Sequence, residues 1–258
     1  GNNPTLNSTS NGSCKSLTIT DGTLTIDAGY DLSVAGDIEI GTLSNTGILA
    51  IGNTTSDITA GGMWTRGTNG VFIDGGATVT FTAGSGTVNI DPKGDDFNNV
   101  IFNGGATFTL IGSNIDVSGT LTISNGNVTP TTDDYTLTIG GDLNNSGGSF
   151  STGTNGTVVL DGAAQAITTM TFDNLTVSGT GTKTFNGANT IEDELIVNST
   201  LAVASSGSLD MEDNVTINSG GTLNDGDESH TFAGTTWTNN GTYSGSGTVT
   251  FDGAAQYI

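Results

Sequence analysis

The chain has 258 residues, 41 of them glycine and only three proline, and its 26 acidic residues against four basic ones give a net charge of −22. A surface this acidic repels nucleic acid and anionic lipid head groups, which excludes both as partners. The single cysteine excludes an internal disulfide, and no apolar run approaches the ~20 residues of a membrane-spanning helix.

Short runs with strict alternation of apolar and polar residues dominate the chain and predict strands. In GTLTIDAGYDLSVAGDIEI (22–40), aliphatic residues occupy every second position of three short runs, and polar residues lie between them. Similar runs follow at 77–81, 107–111, 119–124, 135–140 and 156–162. Glycine and asparagine separate the runs and favour tight corners, because they tolerate positive φ angles. The one stretch that could form a helix, 191–204, aligns with a strand-like stretch elsewhere, so we predict strands throughout.

A longer repeat overlies these short strands. Each copy begins with an aliphatic strand just after Phe97 or Phe172, or after Cys14 in the first copy. A second landmark falls at Trp64, Leu143 and Trp237. A third is the set of phrases ATVTFTAGS (77–85), GTVVLDGAAQ (156–165) and GTVTFDGAAQ (247–256). The sequence therefore predicts a polar N-terminal extension, followed by one domain of three long repeats. These segments are 1–13 for the extension and 14–96, 97–171 and 172–258 for the repeats.

The variable length of the repeats favours a parallel β-helix, or β-solenoid. Each coil of a solenoid contacts mainly its neighbours, so extra residues can bulge out as loops. We predict about twelve coils, coiled right-handed because parallel crossovers are almost always right-handed. Tandem β-sandwich repeats are the alternative. The very short strands and the absence of linkers between copies argue against them.

Phrases such as FDNLTVSGT (172–180) and GTLTISNGN (119–127) resemble the secreted β-helix (β-solenoid) repeat proteins of bacteria. These include adhesins, autotransporter passengers and surface-filament proteins. The resemblance implies a structural protein rather than an enzyme, located outside the cell or on its surface, with surface glycans as a second class of partner besides the chain itself. Because rhythm rather than invariant residues defines such proteins, no functional residue carries over.

Catalytic and metal-binding motifs are weak. Serine–histidine–acid catalysis needs a histidine, and the only one, His230, lies in the polar stretch NDGDESH (224–230). We predict no catalytic residue and no cofactor. The alternative is calcium, a hard cation that oxygen ligands from Asp225, Asp227 and Glu228 could bind. Their spacing fits neither the helix-loop-helix calcium loop nor the glycine-rich calcium nonapeptide.

A polysaccharide-binding or polysaccharide-cleaving β-helix is a further alternative. Asp37 and Glu39 share one predicted outward face, and acidic residues also cluster at 91–96. A glycosidase, however, needs two carboxyl groups at a defined separation across a cleft. Few long loops are predicted that could wall such a cleft, so solvated surface charge is the simpler interpretation.

The interrupted repeat suggests self-association. After the first DGAAQ the chain enters the next repeat, whereas the second is followed only by Tyr257 and Ile258. The coil that should follow the second DGAAQ resembles the coil that contains Leu17 and Ile19. We therefore expect an end-to-end homopolymer with these four residues at its contacts, since uncapped solenoid ends are templates for further strands. An excised segment of a giant cell-surface adhesin is the alternative.

Overall fold

The computed structural model describes residues 5–6, 11–130, 135–151 and 155–257. All regular elements in these ranges are strands, which stack in parallel as a β-solenoid of about 11 turns. The prediction of an all-β parallel β-helix is therefore confirmed, with about one turn fewer than expected. The alternative of tandem sandwiches is wrong, because sandwich strands pair antiparallel. Within the described ranges, no helix is long and apolar enough to cross a membrane.

The strands are mostly two to five residues long and are labelled in chain order. The first fifteen are β1 (Thr5–Leu6), β2 (Gly12–Cys14), β3 (Leu17–Ile19), β4 (Gly22–Ile26), β5 (Leu32–Val34), β6 (Ile38–Ile40), β7 (Gly47–Ile51), β8 (Ile58–Ala60), β9 (Trp64–Arg66), β10 (Val71–Ile73), β11 (Thr78–Phe81), β12 (Thr87–Asp91), β13 (Asn99–Leu110), β14 (Ile115–Val117) and β15 (Leu121–Pro130).

The remaining strands are β16 (Thr136–Ile139), β17 (Leu143–Asn145), β18 (Ser149–Phe150), β19 (Thr157–Leu160), β20 (Gln165–Ile167), β21 (Thr171–Phe172), β22 (Asn174–Val177), β23 (Thr182–Phe185), β24 (Ala188–Ile191), β25 (Leu195–Val197), β26 (Thr200–Val203), β27 (Ser208–Met211), β28 (Val215–Ile217), β29 (Thr222–Asn224), β30 (Ser229–Phe232), β31 (Trp237–Asn239), β32 (Thr242–Ser244) and β33 (Thr248–Phe251). The helix-like stretch 191–204 is indeed strand and corner.

The described chain divides into two compact units, 1–129 with 146–149 and 130–145 with 150–258. In unit 1, three stacks of parallel strands form the coil. One stack runs β2, β5, β8, β11 and the first part of β13. The second runs β3, β6, β9, β12 and the last part of β13. The third runs β1, β4, β7 and β10, so the strand pairing already begins within the segment 1–13.

Unit 2 also has three strands per coil, and its stacks are named here in chain order. The first stack is β16, β19, β22, β25, β28 and β31. The second stack is β17, β20, β23, β26, β29 and β32. The third stack is β21, β24, β27, β30 and β33. Equivalent residues of neighbouring coils, such as Leu175 and Leu195, are paired in register.

Alternation along each strand builds the core. Successive side chains of a strand point to opposite faces, so every second residue faces the interior of the coil and stacks on its equivalent in the next coil. Leu195 and Val197 of β25 are fully buried, whereas Ile196 between them is only partly buried. The three landmark residues of the long repeat, Trp64, Leu143 and Trp237, are all buried.

The repeated phrase DGAAQ forms the same corner twice. Gln165 Nε2 donates hydrogen bonds to the carbonyls of Ile139 (2.8 Å) and Gly141 (2.5 Å), one coil earlier. Gln256 Nε2 donates to the carbonyls of Phe232 (2.7 Å) and Gly234 (3.1 Å) in the same relation. The glutamine thus satisfies backbone acceptors that the corner would otherwise leave unpaired.

Candidate functional site

The last coil of unit 2 is the candidate functional site. It comprises β31, β32 and β33, and Tyr257 then returns to the first stack. The Tyr257 N–H donates to the Thr235 carbonyl (2.8 Å), and its own carbonyl accepts from the Trp237 N–H (2.9 Å). The backbone at Tyr257 therefore begins a further coil on the first stack, while β32 and β33 carry no described strand on their far edge.

The interior side chains of this coil are uncovered. Tyr243 continues the ladder of Leu223, and Phe251 continues the ladder of Phe232. Leu223 and Phe232 are 1% and 0% exposed, whereas Tyr243 and Phe251 are 38% and 41% exposed. The positions are equivalent along the stack, so the difference in exposure arises because no described coil covers Tyr243 and Phe251.

An open hollow of about 440 Å³ lies within this face. Its lining residues are Trp237, Asn239, Tyr243, Gly247, Val249 and Phe251. The Trp237 ring meets the Tyr243 ring edge to face, with centroids 5.6 Å apart, and lies 5.8 Å from the Phe251 ring. These aromatic rings form the apolar part of the hollow's lining.

A buried polar network supports Tyr243 from below. The Tyr243 hydroxyl donates to Asp225 Oδ2, and burial together with this bond raises the pKa of Tyr243 above its ordinary value. His230 Nδ1 accepts from the Leu209 N–H (3.0 Å), so Nε2 carries the proton and donates to the Asp225 carbonyl (2.7 Å). Asp225 Oδ1 is buried without a hydrogen-bond partner, close to Gly245. A Cβ at residue 245 would collide with that oxygen, so the corner requires glycine.

The residues predicted for end-to-end contact have different positions in the coil. Tyr257 is 73% exposed and corresponds to Ala166, which lies between the inward-facing Gln165 and Ile167. Its side chain therefore takes an outward position rather than an interior one. Ile258 lies outside the described residues.

The other two predicted contact residues belong to β3 in unit 1. Ile19 is buried and pairs with Ile40, while Leu17 is partly exposed and pairs with Ile38. Both face the interior of the coil, with the exposed Thr18 between them. This strand has a described partner, β6, on one edge only.

The predicted calcium ligands are not brought together. Asp225 is buried under Tyr243, Asp227 is exposed, and Glu228 is partly buried. Among the described residues, no group of three or more His, Cys, Asp or Glu side chains could hold a metal ion. The acidic stretch that suggested a calcium loop is instead a corner whose aspartate turns inward.

Three of the acidic residues of the polysaccharide alternative, Asp37, Asp91 and Asp95, have structural partners. Asp37 Oδ1 accepts from the Met63 N–H (2.8 Å). Asp91 forms an ion pair with Lys93 (2.9 Å), and Asp95 forms one with Arg66 (2.6 Å). These carboxylates tie neighbouring coils and corners together, a role that does not require a substrate.

Sequence reasoning missed Tyr243, Val249 and Phe251. Alternation marks an interior position but does not report whether a coil covers it. The membership of these residues in the last alternating runs, TYS and TVTF, is the signal that could have identified them.

Comparison with known proteins finds no matching family model, no matching curated protein and no matching solved structure.

Proposed function

We propose that the protein is a structural, extracellular β-solenoid that assembles head to tail into a filament. The observation that carries the proposal is the uncovered last coil of unit 2, where Tyr243 and Phe251 are about 40% exposed. Large apolar side chains left in the open over unpaired strand edges are a strong template for a further coil.

The form of this surface supports a coil as its partner. Each edge strand offers backbone groups in the parallel pattern, and the interior ladder offers aromatic side chains between them. A stacking coil satisfies both at once, as each coil does for the next within the unit. Because the contact joins two different surfaces, it propagates into an open filament unless it closes into a ring.

The chemistry of the described residues favours a structural role. His230 is buried, with both ring nitrogens bonded to backbone groups. Asp37, Asp91 and Asp95, three of the acidic residues of the glycan alternative, form contacts within the solenoid. The resemblance to secreted bacterial repeat proteins supports the location outside the cell.

Electron microscopy and sedimentation of the purified 258-residue chain test the proposal. We expect thin fibres whose formation accelerates with added salt, because a net charge of −22 opposes association until it is screened. A Val249→Asp, Phe251→Asp variant should remain monomeric, because it introduces charge into the apolar face. A Thr176→Asp, Thr216→Asp variant, which adds the same two charges at outward positions of β22 and β28 in inner coils, is the matched control and should still form fibres.

The alternative is a segment of a longer surface adhesin, in which covalently attached coils cover the same face. Monodisperse particles from the parent chain at every salt concentration would overturn the filament.

A further inference from the structure

We propose that a second copy docks with β2 on β32 and β3 on β33, and that it releases its own β1 to do so. This inference rests on the proposed head-to-tail assembly and adds its register. It concerns which strand covers which, and which strand must leave.

The internal repeat indicates the phase of the docked coil, that is, which stack each of its strands joins. After Gln165 the strand β20 is followed by β21 and then β22, which is the strand of the landmark at Phe172. The corresponding landmark at Cys14 makes β2 the equivalent of β21 and β3 the equivalent of β22. Following Gln256 and Tyr257 on the first stack, β2 therefore falls on the second stack, over β32, and β3 falls on the third stack, over β33.

The side chains of β3 fit β33 in this phase. β33 has Val249 and Phe251 inward with Thr250 outward, and β3 has Leu17 and Ile19 inward with Thr18 outward. Leu17 then covers Val249, and Ile19 covers Phe251. Residue by residue, the two strands repeat the apolar, polar, apolar order of paired strands such as β5 and β8.

The side chains of β2 fit β32 by size. β2 has only the small residues Gly12, Ser13 and Cys14, whereas β32 presents the large ring of Tyr243, 38% exposed. Small residues in the covering strand leave room for this ring at native packing density.

Charge also matches in this phase. Lys15, one of only four basic residues, lies at the corner between β2 and β3. That corner falls over the corner between β32 and β33, below which lies the acidic stretch containing Asp227 and Glu228. In a chain with a net charge of −22, a cation placed at the acidic corner reduces the repulsion between copies.

The release of β1 follows from counting strands. β4 follows β3 and therefore returns to the first stack, one coil beyond Tyr257. β1 pairs with β4, with Thr5 opposite Thr25, on the side that faces the docking partner. Tyr257 is paired with Thr236 in that same layer. In the docked pair, β1 of one copy and the strand at Tyr257 of the other would therefore occupy the same position below β4. Only one of them can pair there, so β1 must leave.

Cysteine pairs in a Cys14→Ser background test the register on the full chain. Parallel neighbours place paired residues within the 4.4–6.8 Å Cα separation that a disulfide needs. Thr18→Cys with Thr250→Cys should give disulfide-linked multimers on non-reducing gels of oxidised fibres. Thr18→Cys with Thr242→Cys, which reports a coil shifted by one stack, is the matched control and should remain mostly monomeric.

A second pair tests the release of β1. Thr5→Cys with Thr25→Cys should lock β1 onto β4, reduce fibre yield at least tenfold under oxidation, and recover full yield with reductant. Fibres that form equally well with the lock closed would overturn the release.

The outcomes separate the two proposals. Fibres linked through the Thr242 pair, or through neither pair, would overturn this register and leave head-to-tail assembly standing. Absence of fibres from the unlocked parent would overturn both.

Discussion

The third stack of unit 2 contains the same kind of residue in two environments. Phe232 and Phe251 are register partners in neighbouring coils, yet the first is fully buried and the second is 41% exposed. The two side chains face the interior equally, so what differs is only the coil above. The comparison shows that each coil covers the interior side chains of the coil before it, and that no described coil does so for Phe251.

The largest effect should come from truncating this pair. Phe232→Ala removes a fully buried ring and should lower the free energy of unfolding by about 3–5 kcal/mol. Phe251→Ala removes a partly exposed ring and should cost about 1–2 kcal/mol. Urea denaturation of the monomer at low salt measures both. Equal losses would contradict the picture of an uncovered last coil.

The two corner glutamines allow a second comparison between an inner coil and the last coil of unit 2. Gln165 is buried, and its amide bonds the Ile139 and Gly141 carbonyls as well as the Gly162 N–H. Gln165→Ala leaves these groups without a partner and should cost about 1–3 kcal/mol. Gln256→Ala should cost less, because water can reach the partly exposed corner of the last coil. Thermal unfolding checks the order, and a larger loss at residue 256 would reverse the interpretation.

Tyr243 should give a smaller, pH-dependent effect. Its pKa is raised in the folded state by burial and by the bond to Asp225, so the stability it contributes is present below pH 10 and is lost as the pH rises further. Between pH 9 and 11, the parent should therefore lose more stability than Tyr243→Phe. Urea midpoints across this range test it, with Tyr30→Phe as a control tyrosine. Parallel pH profiles for the parent and Tyr243→Phe would refute the assignment.

The smallest effect on stability should come from Glu212, an exposed residue directly after β27, away from the last coil. Repulsion from Asp210, followed by desolvation, raises the pKa of Glu212. A carboxyl group with a raised folded-state pKa lowers stability as the pH increases above its ordinary value. Glu212→Gln should therefore stabilise the fold slightly at pH 7, and the gain should vanish below pH 4 and in high salt. A gain that persists at pH 3 would show another cause.

The fold followed from the sequence because alternation reports the two faces of a strand directly. The runs of β4, β6 and β25 needed only this period and the glycine corners. Lys183 shows where the period alone fails. It occupies an interior position of β23, fully buried, because its ammonium group donates to the carbonyls of Gly162 (2.6 Å) and Thr180 (2.9 Å). Burial lowers the pKa of Lys183. No local sequence pattern predicts that two backbone carbonyls lie within hydrogen-bonding distance of its ammonium group.

The candidate site was only partly predictable. Self-similarity pointed to the region after the second DGAAQ, which includes Tyr257, but the register places that side chain outward. In the NDGDESH stretch, Asp225 was only an alternative calcium ligand, and the structure shows that its carboxylate accepts a hydrogen bond from Tyr243 one coil later. Both features are contacts between coils, which depend on the number of residues per coil. That number varies from coil to coil, and local alternation does not report it.

The glutamine corner has a consequence for how such a gene can change. Gln165 makes its bonds at the corner after the first stack, and Gln256 makes the same bonds at the corner after the third. The motif forms these bonds at either corner. A duplicated stretch of DNA that begins and ends in the motif therefore does not have to encode a whole number of turns. Unequal recombination between such stretches can lengthen or shorten the coding region by a fraction of a turn and still yield a continuous coil.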